Sequence, residues 1–291
     1  MRAAQELHCG GIFAAARDQS RVSGLTHSFY KYPARFSPQF VRAAIEQFTD
    51  HGDLVVDPFM GGGTSAVEAL ACGRSFVGTD CSSLAHFVSS VKTTILPPSE
   101  IREVVSWLGG FERRATTREP VERPTEWIEA GYQRNLDGQD LWRIRKTIEI
   151  AANEAAGFSR ARQRRFARAV ILKSAQAALD TRKDFPSVLS FRRSLGRNAK
   201  SMGEALVELA QNVSAHRHAE GQAITLKKGS AESVGDLVRL NGKRARLIVT
   251  SPPYPGVHVL YHRWQVRGGR ETPLLRCSCP ALRPCRVSTR P

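Results

Sequence analysis

No apolar run in the 291-residue chain approaches the roughly 18 uninterrupted residues that a membrane-spanning helix needs. The opening stretch, MRAAQELHCGGIFAAARD, holds only a short apolar patch cut off by Arg17 and Asp18, which is no export signal. The expectation is a soluble protein with no membrane partner. Cysteine is scarce, six in all with no C-x-x-C pair, which excludes a disulfide scaffold and favours a reducing cytoplasm. Cys277, Cys279 and Cys285 lie in C-x-C-x5-C spacing with no histidine nearby, matching none of the usual zinc arrangements, so no metal is expected. Acidic residues are also few, 27 against 43 Lys plus Arg, for a formal charge of +16. With 41% apolar residues the chain can bury a real core, and disorder throughout is excluded.

The positive charge is concentrated in two places. Residues 157–202 carry 12 basic and two acidic residues, and residues 239–291 carry 11 basic residues and one acid, a net +10 each; the remainder is slightly acidic at −4. Such clustering suits a polyanionic partner, although a solvated basic helix face has the same composition.

The organisation reads as an α/β unit interrupted by helices. The short β-branched run Leu54–Asp57 precedes Pro58 and the contiguous Gly61, Gly62 and Gly63, and Thr64–Ala71 has helix-forming composition. Ser75–Asp80 predicts a second strand, with Ser82 and Ser83 as N-caps of a helix through about Lys92. Ahead of these, Pro38–Phe48 has the apolar spacing of one helix face. Helical periodicity dominates from Pro97 to about Glu220, after which strands are expected at Ala223–Lys227 and Arg246–Thr250, with a short helix between them. The expected parts are residues 1–96 and 222–272 as two halves of one α/β domain, 97–221 as a basic helical insertion, and 273–291 as an irregular basic tail.

Three features carry chemistry. Glycines at the carboxyl end of a first strand permit a sharp turn and close approach of a ligand, although their contiguous spacing is not the dinucleotide pattern G-x-G-x-x-G. Asp80 ends the second strand about 20 residues later, where a carboxylate accepts hydrogen bonds from both ribose hydroxyls, so the ligand expected is an adenosine derivative. Ser251-Pro252-Pro253-Tyr254 stiffens the chain at the edge of another strand, since neither proline carries an N–H and both fix φ. An exocyclic base amine is a poor nucleophile because its lone pair is delocalised into the ring. Accepting its two hydrogens with the Ser251 hydroxyl and the Pro252 carbonyl draws the nitrogen toward tetrahedral geometry and aims the lone pair at a methyl donor, while Tyr254 stacks on the base.

These residues together resemble the amino-group DNA methyltransferases that use S-adenosylmethionine. The F-x-G-x-G signature appears as Phe59, Gly61 and Gly63, and the catalytic S/D/N-P-P-Y/F tetrapeptide as Ser251 to Tyr254. The resemblance, over about residues 25–95 and 222–272, implies a Rossmann-like sheet and S-adenosylmethionine held by Tyr32, Asp57, Phe59, Gly61, Gly63, Thr64, Asp80 and Ser230. Within it, His27–Phe36 looks like the element enclosing the methionine end, and Gly229–Ala231 lies where the family often contacts adenine. It further implies double-stranded DNA as substrate, a base flipped from the stack, and a cognate restriction endonuclease as partner. Ser251 resembles the cytosine-N4 members more than the adenine-N6 ones, and Tyr261, His262, Arg263 and Trp264 are expected to support the flipped base or the emptied stack, unless they merely pack the next element. An RNA methyltransferase and a non-catalytic nucleic-acid-binding remnant remain alternatives. The family's sheet has seven strands, whereas four are placed here and 37 residues follow Tyr254. At roughly 25 to 30 residues per strand-and-helix unit, an incomplete sheet is expected, with an unpaired edge beside the site and a truncated, poorly active enzyme.

Overall fold

The computed structural model describes residues 10–32, 35–115, 134–136, 138–216, 222–253 and 264–271. After α1 (Gly10–Arg17) and a 3-10 turn at His27–Phe29, the chain enters α2 (Pro38–Phe48), β1 (Leu54–Asp57), α3 (Thr64–Ala71), β2 (Ser75–Asp80) and α4 (Ser83–Thr93). Four longer helices follow: α5 (Pro98–Arg114), α6 (Trp142–Ala155), α7 (Ala161–Leu179) and α8 (Val188–Ala215). Then come β3 (Ile224–Lys228), α9 (Val234–Asn241), β4 (Ala245–Ile248) and a hairpin of β5 (Trp264–Val266) and β6 (Gly269–Glu271). Among the described residues no helix is long and apolar enough to cross a membrane.

Strands β1 to β4 form one parallel sheet in the order β3-β2-β1-β4. Every side chain of β1 is buried, as are all but the last of β2, because helices cover both faces of these central strands. The helix ends follow local chemistry. Ser37 caps α2 by accepting the Phe40 amide, with Pro38 in the first turn, and Ser82 caps α4 by accepting the Ala85 amide at 3.1 Å. Strand β4 is an edge: it pairs with β1 alone among the described residues, and Ile248 on it is 63% exposed.

The helical insertion does not form a separate core. Phe166, Phe191, Leu195, Ile148 and Phe111 from its helices pack in one continuous cluster with Phe29, Tyr30 and Tyr32 and with Leu84, Ala85, Val88 and Val91 of α4. The stretch 264–271, expected inside the second half of the α/β domain, is placed differently. Its hairpin pairs with the turn after α7 through Thr181 N–H to the Gln265 carbonyl at 2.8 Å, and Trp264 and Val266 join the helical core.

Candidate functional site

The sheet's carboxyl edge holds a cleft of about 190 Å³ lined by residues from several separate places in the chain. Tyr32, Arg35 and Phe36 come from the segment before α2; Asp57, Phe59, Met60, Gly61, Gly62, Thr64 and Ser65 from the β1–α3 turn; Asp80, Cys81 and Ser82 from the end of β2; and Ser251 and Pro253 from the segment after β4. The parallel pairing of β1 with both β2 and β4 forces this convergence, since all three strands end at the same edge.

Asp57 fastens the two halves. Its Oδ1 accepts the Phe59 N–H at 3.0 Å and the Thr250 hydroxyl at 2.7 Å, and its Oδ2 accepts the Ser65 hydroxyl. One carboxylate thus joins the start of the glycine turn, the first turn of α3 and the residue directly ahead of Ser251. Burial pushes its pKa up while the three donors pull it down, and burial wins. Asp80 is set by two amides: Gly61 N–H donates to Oδ2 at 2.9 Å and Ser82 N–H to Oδ1 at 2.8 Å. These bonds fix the carboxylate plane in the cleft wall, and a carboxylate oxygen can accept more than one donor.

The glycines have protein neighbours to accommodate. A Cβ on Gly62 would come within 2.8 Å of the Tyr32 Cβ, and Gly63, at φ +76°, faces the Ser89 side chain, which a Cβ would meet at 2.5 Å. The turn is tight because Tyr32 closes over it on one side and α4 on another. Tyr32 is held in its turn by the insertion: Gln176 on α7 accepts the Lys31 N–H at 2.9 Å and donates to the Lys31 carbonyl at 3.0 Å. Beside it, the Trp264 indole N–H donates to the Tyr30 hydroxyl at 2.9 Å.

Sequence reasoning does not single out Arg35. It lines the cleft, its guanidinium makes no hydrogen bond or ion pair with the described residues, and partial burial pulls its pKa down. A half-buried cation without an anion in a cleft wall is a site for an anionic ligand group.

A family model described as DNA methylase matches residues 4–87. The type II methyltransferase M.MvaI of Kocuria varians is 41% identical over 85 residues, 28% of this chain and 19% of that protein. M.MjaII of Methanocaldococcus jannaschii is 33% identical over 66 residues, 23% of this chain and 12% of its own. The orphan methyltransferase M.BamHII of Bacillus amyloliquefaciens is 38% identical over 53 residues, 18% and 20% of the two chains. Through this segment the chain is similar to the N6/N4 DNA methylases. The match with M.MvaI spans about a fifth of that relative's length, and no solved structure matches.

The matched segment contains the glycine turn, Asp80, Tyr32 and Arg35, whereas Ser251 lies outside it and is brought to the cleft by the fold. Of the residues expected to hold the cofactor, Tyr32, Asp57, Phe59, Gly61, Thr64 and Asp80 line the cleft. Gly63 does not, because its role is to begin α3 in a left-handed conformation against Ser89. Ser230 does not either: its hydroxyl accepts the Glu232 N–H in a 3-10 turn after β3, and its side chain is exposed. Of the tetrapeptide, Ser251 and Pro253 line the cleft and Pro252 is exposed beside them. Tyr254, Tyr261, His262 and Arg263, like the cysteines of the 273–291 tail, lie outside the described residues. Trp264 is buried at 2% exposure and bonded to Tyr30, so it packs the core and is not available to a flipped base.

Proposed function

We propose that the cleft binds S-adenosylmethionine and that the protein methylates an exocyclic amine of a DNA base, cytosine N4 ahead of adenine N6. The observation that carries this reading is the meeting of Ser251 and Pro253 with Gly61, Gly62 and Asp80 in one cleft. The donor set fits the cofactor: Asp80 suits the ribose hydroxyls, Arg35 the methionine carboxylate, and Phe59, 37% exposed at the cleft, offers an apolar face. When bound, S-adenosylmethionine supplies an electrophilic methyl group on its sulfonium.

The chain's own residues do the rest. Ser251 and the Pro252 carbonyl accept hydrogens from the base amine and hold its lone pair toward the cleft, and Tyr254 stacks on the ring. A stacked, paired base cannot present its amine in line, so the base is flipped out of double-stranded DNA. Exposed Arg165, Lys183 and Arg197 of the insertion, which have no carboxylate partner among the described residues, are the side chains we assign to DNA phosphates. We take the reaction to be cytoplasmic and a restriction endonuclease of the same specificity to be the partner of this modification.

The test is transfer of labelled methyl groups to DNA, followed by digestion to nucleosides and mass identification. Turnover is expected to be low, and N4-methylcytosine is the expected product. N6-methyladenine overturns the choice of base, and label entering RNA in preference to DNA overturns the substrate.

A further inference from the structure

Lys92, in the last turn of α4, is 1% exposed, and its ammonium donates to the Gly62 carbonyl at 2.7 Å. One turn earlier on the same face, the Ser89 hydroxyl donates to the Gly61 carbonyl at 3.0 Å. Neither side chain lines the cleft, yet between them they hold two consecutive carbonyls of the glycine turn. In a trans peptide the N–H points opposite to the carbonyl of the same unit. With the Gly61 carbonyl drawn toward α4, the Gly62 N–H is turned away from that helix. Gly62 lines the cleft, and its N–H makes no hydrogen bond to the described residues.

A buried ammonium is costly, and a lysine at the end of a helix normally remains in solvent beside the helix carboxyl terminus. No carboxylate pairs with Lys92 among the described residues, and the nearby charge that acts on it is another cation, Arg35. Two cations flank the glycine turn, and neither is ion-paired with a carboxylate among the described residues; the carboxylate at the turn, Asp80, is bonded to the Gly61 and Ser82 amides. An anionic group bound at the turn relieves the repulsion between the two cations.

We infer that Lys92 and Ser89 are positioning residues that orient the glycine turn and, with Arg35, make it a receptor for the carboxylate end of the cofactor. The inference rests on the S-adenosylmethionine reading above and gives Lys92 and Ser89 a role in it, through the two carbonyls they hold. Burial pulls the Lys92 pKa down to about 7, with Arg35 adding to the shift. The unfolded chain binds this proton up to the ordinary lysine pKa, so the burial cost is complete below about pH 7 and falls away as pH rises from there.

Lys92→Met keeps the length of the side chain and removes its donor. At about pH 6 it is expected to melt at or above the wild-type temperature, because a buried charge has been replaced by an apolar group. Calorimetric titration of the full chain is nevertheless expected to show S-adenosylmethionine binding about tenfold weaker, because the Gly62 carbonyl loses the ammonium that holds it and the turn loses a nearby positive charge. With decarboxylated S-adenosylmethionine, wild type and Lys92→Met are expected to bind alike. A folded Lys92→Met with undiminished affinity for the intact cofactor overturns the inference and leaves the cofactor reading intact, as does an equal loss for both ligands. Should Lys92→Met fail to fold, Ser89→Ala decides: a severalfold loss confined to the carboxylate-bearing ligand supports the inference, and none overturns it. Absence of binding by wild type overturns the cofactor reading and the inference with it.

Discussion

Arg35 illustrates what separates a site residue from its neighbours in sequence. It is one of 43 basic residues, inside a segment whose order resembles a known element, and nothing in its spacing marks it. Its place in the cleft wall without an anionic partner among the described residues does mark it. Arg35→Gln is expected to weaken S-adenosylmethionine binding by at least about tenfold while leaving the melting temperature near wild type, because the side chain supports no other described group; paired titration and thermal melts check this. Asp80 and the glycines are legible because a turn and an acid about 20 residues apart, each at the end of a strand, suffice to place them at one edge. Ser89 and Lys92 are harder to read, although a serine and a lysine sharing the face of α4 that carries Ala85 and Val88 are an anomaly of pattern. The terminal position of Lys92 suggests instead a solvated charge favourable to the helix dipole.

At the scale of elements, α7 stands out in the sequence for its charge and acts in the structure also through an uncharged residue. Gln176 is buried on the helix face turned toward residues 30–32, where it satisfies both polar groups of Lys31's backbone. Removing it leaves a partly buried donor and acceptor unpaired, which costs roughly 1 to 3 kcal/mol. Gln176→Ala is therefore expected to lower stability by that order and to weaken cofactor binding, because Tyr32 loses its support over Gly62; an unchanged dissociation constant would show that the insertion leaves the cleft alone. The charge count of the insertion overstates its capacity for phosphate. Arg162 is paired with Glu100 at 2.6 Å and Arg193 with Glu112 at 3.0 Å, pairings that link helices distant in sequence and that composition cannot disclose. The boundaries of β1, α3 and β2 are readable to the residue because each is a short, strongly patterned run between turn residues. The hairpin at 264–271 is not, because three-residue strands have too little pattern to betray which surface they join.

For the whole molecule, the sheet order β3-β2-β1-β4 matters more than any single residue, since it sends the ends of β1, β2 and β4 to the same edge. The identity of the motifs alone implies that convergence; the bond that secures it, Thr250 to Asp57, joins side chains 193 residues apart in sequence and has no local signal. The shared core between the insertion and α4 adds a second connection, so that the helices which we assign to DNA also brace the wall of the cofactor cleft. The most direct test of this architecture is a crystal structure of the full chain with S-adenosylmethionine bound. The account predicts the ribose hydroxyls on Asp80, the methionine carboxylate at Arg35 and the Gly62 N–H, and the sulfonium methyl directed toward Ser251. A cofactor bound elsewhere, or one in this cleft with its methyl turned away from Ser251, would contradict it.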